Sequence, residues 1–151
     1  MKTLVVIPLI LGALLLPALA QETPAASWTD SLREVVDQVP GIRQVVDVVI
    51  EDEDVRITYV TAEADEVGYR AEMLDVFWAV GRALNAADRA VNHVILVSAV
   101  APDDFLEEIT IDSVHLAAYA EEKLTRTELL DLLSIEPLEH LNPDASSNAD
   151  V

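Results

Sequence analysis

DEVGYRAEMLDVFWAVGRAL, residues Asp65–Leu84, decides how the rest of the chain is read. It holds most of the large side chains: Tyr69, Met73, Phe77, Trp78 and Leu84. Val67, Ala71, Leu74, Trp78 and Gly81 recur at helical spacing, and Met73, Phe77, Val80 and Leu84 form a second stripe beside them. The two stripes make an apolar face wider than the ~100° of an ordinary surface helix. Glu72, Asp75 and Arg82 are the polar remainder. The pattern predicts a central helix on which other elements pack. Gly81 in its interior costs about 1 kcal/mol against alanine, which close approach of a strand or another helix would explain. Tyr69, Phe77 and Trp78, with Tyr119, have the makings of an apolar pocket, but at this spacing the core is their expected place.

Outward from this helix lie two β-branched stretches. Gln44–Thr61 contains two apolar runs around Glu51-Asp52-Glu53-Asp54. A four-residue loop pairs Ile50 with Val55, Val48 with Ile57 and Val46 with Tyr59, so opposite residues share one face. Asp47 and Val49 then oppose Thr58 and Arg56 on the other. The loop has no glycine, which argues against a two-residue type I′ turn. A second hairpin is expected over His93–Val100 and Phe105–Asp112, joined by Ala101-Pro102-Asp103-Asp104. It pairs Val100 with Phe105, Leu96 with Ile109 and Val94 with Ile111. One face is apolar except for Ser98 opposite Glu107. The other, with Ile95, Val97 and Ala99 against Leu106, Glu108 and Thr110, is only half polar, so a terminal helix or a partner is expected on it.

The remaining elements are helical. Leu32, Val35, Val36 and Val39 predict a helix from about Trp28 to Val39, with Ser31 and Glu34 at capping-box spacing and Pro40-Gly41 as its stop. Trp28 at its start is placed to staple it. Asp112 is a candidate N-cap for a helix over Ser113–Lys123. Thr125 and Glu128 form a capping box opening a short helix, Arg126–Leu133. The order α-ββ-α-ββ-α(α) predicts an α+β two-layer sandwich: an antiparallel sheet of two hairpins with helices mainly on one face. In element order alone this is similar to the type III secretion chaperone-like α/β sandwiches, a likeness of arrangement that implies no activity.

Outside residues 28–135 the chain changes character. Met1-Lys2, an apolar run to Pro17 and Ala18-Leu19-Ala20 have the form of a signal peptide over residues 1–20, cleaved near Ala20. This predicts an exported protein, periplasmic or extracellular. An uncleaved N-terminal membrane anchor is the alternative. Residues 21–27 read as a flexible lead-in, and 136–151, with Pro137, Pro143 and DASSNADV, as a disordered tail. The chain has 151 residues and no cysteine, which removes thiol catalysis and thiolate metal sites. Its 28 acidic and 9 basic residues give a net charge of −19. Nucleic acid and anionic membrane surfaces are therefore poor partners. A solvated acidic surface is expected, and a basic partner would suit it.

No sequence feature identifies a catalytic, cofactor-binding or metal-ligating residue. His93, His115 and His140 lack metal-ligand spacing, and only His115 with Asp112 forms a local pair. The acidic loop 51–54 lacks the alternation and distal glutamate of an EF-hand, as does Asp103-Asp104. Ser98 and Ser113 sit in no nucleophile elbow, and no phosphate-binding glycine motif occurs. The expectation is an exported, non-enzymatic module that binds a protein or peptide on its exposed sheet face, or scaffolds. The alternatives are a small carboxylate-based hydrolase and a low-affinity divalent-cation binder.

Overall fold

A computed structural model describes residues 25–63 and 65–138. The elements are α1 (Ala25–Asp37), β1 (Ile42–Glu51), β2 (Asp54–Thr61), α2 (Glu66–Ala87), β3 (His93–Ala101), β4 (Asp104–Asp112), α3 (Ser113–Ala120), α4 (Arg126–Leu130) and β5 (Ser134–Pro137). The signal segment, the first residues of the lead-in and the chain beyond Leu138 lie outside the described residues. No helix among those described is long and apolar enough to cross a membrane.

The fold is α+β around one five-stranded sheet of order β1-β2-β3-β4-β5. The sheet is mixed, not antiparallel throughout. Both hairpins form, but β2 and β3 meet as a parallel pair, Val55 opposite Val94 through Val60 opposite Ala99. The reason lies in α2. Its 22 residues span about 33 Å, longer than the ~26 Å of the eight-residue β2. One such helix carries the chain back to the end of the sheet where β2 began, so β3 repeats the direction of β2. Val48, Val55, Ile57, Tyr59, Val94, Leu96, Ile109 and Ile111 share a single core cluster with side chains from all four helices.

Within the first hairpin, Ile50–Val55 and Val48–Ile57 pair as the alternation predicts. A bulge then replaces Val46 by Val45 opposite Tyr59. Arg33 of α1 accounts for its position, donating to the Val45 carbonyl at 2.9 Å and the Val46 carbonyl at 3.4 Å. Glu51 pairs with Asp54, so the connection has only two residues. Asp52 (φ 49°) and Glu53 (φ 70°) are both left-handed, the type I′ pattern. Tertiary contacts replace the missing glycine: the Asn92 amide donates to the Glu53 carbonyl at 2.7 Å, and its side chain to Glu53 Oε2 at 3.3 Å.

The second hairpin keeps Val94–Ile111, Leu96–Ile109 and Ser98–Glu107, then shifts so that Ala99, not Val100, faces Phe105. Its far face is less open than the sequence suggests. Val97 and Ala99 are buried, and Arg56 of β2 reaches Glu108 of β4 at 2.7 Å, a pairing whose register spans Ile95 and Val97 of β3.

The helices differ from expectation mostly at their starts and ends. α1 opens at Ala25, inside the expected lead-in, so Ser31 is mid-helix and Trp28 is a buried core residue. The central helix runs Glu66–Ala87, with the Asp65 side chain accepting from the Gly68 amide at its start and left-handed Asp88 at its end. Gly81 does mark close approach: an added Cβ would lie 2.9 Å from Ala120 Cβ and 3.0 Å from the Leu116 carbonyl oxygen. The Thr125–Glu128 capping box forms. β5 places Glu136 and Pro137 in the sheet, against β4, where a tail was expected. An edge strand is where a proline can sit, because its missing N–H faces away from the ladder.

Candidate functional site

The apolar stripes of α2 are only partly buried: Val67 is 80% exposed, Val76 outside them is fully buried, and two further departures define the site. Trp78 is 37% exposed, although it belongs to the predicted apolar face. Glu72, expected among the solvated residues, is 3% exposed.

Trp78 separates two hollows on the helical side. The larger, about 540 Å³, runs between α1 and α2. Val35, Gln38, Val39 and Pro40 form one wall; Asp75, Trp78, Ala79, Arg82, Ala83 and Ala86 form the other. The second, about 410 Å³, lies on the α3 side, where Trp78 and Asp75 meet Tyr119, Glu122, Leu124 and Arg126. The Arg82 guanidinium stands 4.7 Å from the Trp78 ring centroid, within cation–π range. Arg126 pairs with Asp75. Phe77, next to Trp78, is fully buried. One residue's rotation on the helix, about 100°, separates a core ring from a surface ring.

The polar groups of the core gather at the N-terminal end of α2. Tyr69 donates to Glu107 Oε1 at 2.6 Å and bonds Ser98 Oγ at 2.7 Å. Arg70 grips the same carboxylate with both nitrogens, at 2.6 and 3.3 Å. The Ser98–Glu107 pair, the one polar break in the inner face of the second hairpin, thus marks where a helix brings its own polar groups. Burial, then the bond to Glu107, pushes the Tyr69 phenol well above its ordinary pKa.

Glu72 is held differently. Thr61 Oγ1 donates to its Oε2 at 3.0 Å, while Oε1 is buried with no hydrogen-bond partner. Burial raises its pKa from 4.5 to about 7; the bonds from Thr61 and the Ala62 backbone pull the other way, and the Glu63 charge adds to the rise. Gly41, at φ 96°, lies so near that a Cβ there would meet Glu72 Oε2 at 2.6 Å. The neighbouring Tyr59 hydroxyl is also buried without a partner.

Among the described residues, His93 and His115 are engaged by nearby carboxylates. Asp112 occupies the N-cap position of α3 but makes no side-chain cap bond. Its carboxylate instead lies 3.2 Å from His93 Nε2 and 3.9 Å from His115 Nε2. His93 Nδ1 faces Asp54 at 2.9 Å. Within the acidic turn, Glu53 and Asp54 are thus already engaged, and no group of three or more candidate metal ligands converges among the described residues. Ser98 is tied to Tyr69, and Ser113 donates to the Val91 carbonyl. His140 lies outside the described residues. Asp30, Glu34 and Asp37 do share a groove with Arg33 and Arg43. All three are exposed on one helix, without the contrast of environments that sets an acid apart from a base.

Comparison with family models, with curated proteins and with solved structures finds no match for this chain.

Proposed function

We propose that this chain is a non-enzymatic binding domain whose α1–α2 groove receives an apolar, basic peptide segment of another protein. The observation that carries this reading is Trp78: a large aromatic ring held 37% exposed between two hollows. Exposed tryptophan beside a concave apolar wall is the usual anchor of a protein interface. The chain's net charge of −19 favours a basic occupant and disfavours nucleic acid. The sheet face opposite the helices is a poorer seat than its sequence suggests, because Val97 and Ala99 are buried and Arg56 pairs with Glu108 over β3. The two-layer arrangement, helices together against one face of the sheet, belongs to the same reading. It is supported by the shared core cluster. So does export after cleavage near Ala20, supported by the charged start, apolar run and small-residue site of the first twenty residues.

Selection of random peptides by display on the mature chain tests the proposal. The expected winners carry Lys or Arg around one large apolar residue. Their binding changes tryptophan fluorescence and weakens at least ~10-fold in Trp78→Ala, about 1.4 kcal/mol. Failure to select any peptide, or equal binding by Trp78→Ala, overturns the reading.

A further inference from the structure

We propose that Glu72 is a proton-operated latch, closing the corner between α1 and β1 while its carboxyl is protonated and releasing it on ionisation. The corner is tied by three backbone bonds: Val39 N–H to the Val36 carbonyl at 3.0 Å, Ile42 N–H to Val39 at 3.2 Å, and Ala62 N–H to Gly41 at 2.7 Å. Glu72 reaches it from α2. Its Oε2 accepts from Thr61, which stands opposite Ile42 in the β1–β2 ladder, and lies against Gly41. Oε1 meets no donor.

A protonated carboxyl is tolerable in such a place; a carboxylate needs cations or several donors. The groups around it supply neither in full. β2 presents the Thr61 hydroxyl and the Tyr59 phenol, the following loop presents the Ala62 amide, already donated to the Gly41 carbonyl, and Glu63, of the same sign, and the corner presents only Gly41. On α2 itself, Tyr69 and Arg70 are turned to Glu107. The rise of the Glu72 pKa to about 7 sets the working range near neutrality. Ionisation is relieved by admitting water, and the corner is the side where the contact is a glycine. Val39 and Pro40, just before Gly41, wall the α1–α2 groove, so release would move that wall. This consequence rests on the groove being the docking site; the latch itself does not.

Amide hydrogen exchange of the mature chain, corrected for the intrinsic pH dependence of exchange, tests the latch without any partner. The Ala62 and Ile42 amides are expected to exchange faster than those of the central β2–β3 pair. Their opening equilibrium should rise by up to about 300-fold between pH 4.5 and well above 7, the ratio set by the pKa difference. In Glu72→Gln the same amides should lose this pH dependence. Unchanged pH dependence in that variant overturns the proposal. So does exchange of Ala62 and Ile42 at the rate of the β2–β3 amides at every pH, which would make the opening global.

Discussion

Glu107 and Glu72 are both carboxylates drawn into the core beside the first turns of α2, and they are compensated in opposite ways. Glu107 is met by the two nitrogens of Arg70 and the hydroxyl of Tyr69. Glu72 is met by the Thr61 hydroxyl, with its other oxygen unpartnered. Attraction to a cation repays desolvation at the first. At the second, desolvation is repaid by retaining a proton. One acid is therefore a fixed staple between α2 and β4, and the other is a group whose state follows the medium. Location in the fold does not separate them; the presence of one arginine does.

The largest expected consequence is a stability profile that runs opposite to ordinary acid denaturation. Below about pH 4.5, Glu72 is protonated in both folded and unfolded chains. Between about 4.5 and 7 the folded chain keeps a proton that the unfolded chain has lost. Stability contributed by this group is thus full below 4.5, falls as the pH rises through that window, and is gone above about 7. The integrated loss is about 3 kcal/mol, from a shift of roughly 2.5 units. Urea titrations of wild type and Glu72→Gln should differ in slope across pH 4.5–7, with the variant flatter. Parallel profiles would mean that Glu72 ionises as readily folded as unfolded, and the contrast with Glu107 would vanish.

Removing the arginine should make the two acids alike. Arg70→Ala leaves Glu107, whose side chain is 13% exposed, without its cation. A fully buried pair broken this way costs ~3–5 kcal/mol; with Arg70 itself 28% exposed, a loss of about 2–3 kcal/mol is expected at pH 7. Arg70→Met, which keeps an apolar stem but removes the charge, should lose most of the same stability. Stability retained in Arg70→Met would show that Arg70 acts through packing of its stem instead.

Half of this contrast is legible in the sequence. Ser98 opposite Glu107 follows from strict two-residue alternation in β3 and β4, which also yields most of both hairpin registers. A polar pair on an apolar face is a sign that polar partners will arrive from elsewhere. Glu72 gives no such sign, because a helical face inferred from hydrophobicity places every glutamate outside. The parallel β2–β3 pair was hidden for another reason. Alternation within each hairpin says nothing about the direction in which one hairpin joins the next; that depends on α2 being longer than the strands it connects. β5 is too short to show periodicity, and Glu136 and Pro137 argue locally against a strand. Trp78 illustrates the limit of the stripe itself, since Phe77 beside it is buried and the exposed ring lies at the margin of the apolar arc.

The finest test of the contrast is Thr61→Val, which removes the one side-chain donor to Glu72 while keeping shape and leaving Glu107 untouched. The Thr61 bond favours the ionised form and opposes the rise caused by burial. Its loss should therefore drive the Glu72 midpoint higher still, by no more than about one pH unit for a hydrogen bond of ~1 kcal/mol. The stability change should be small at pH 5, where the carboxyl is protonated, and reach about 1 kcal/mol at pH 8, where the carboxylate has lost its donor. Carbon-13 titration of the Glu72 carboxyl reads the midpoint directly. A midpoint that moves down instead would mean that Thr61 serves chiefly to hold the protonated acid, and that Glu72 is as much a fixed staple as Glu107.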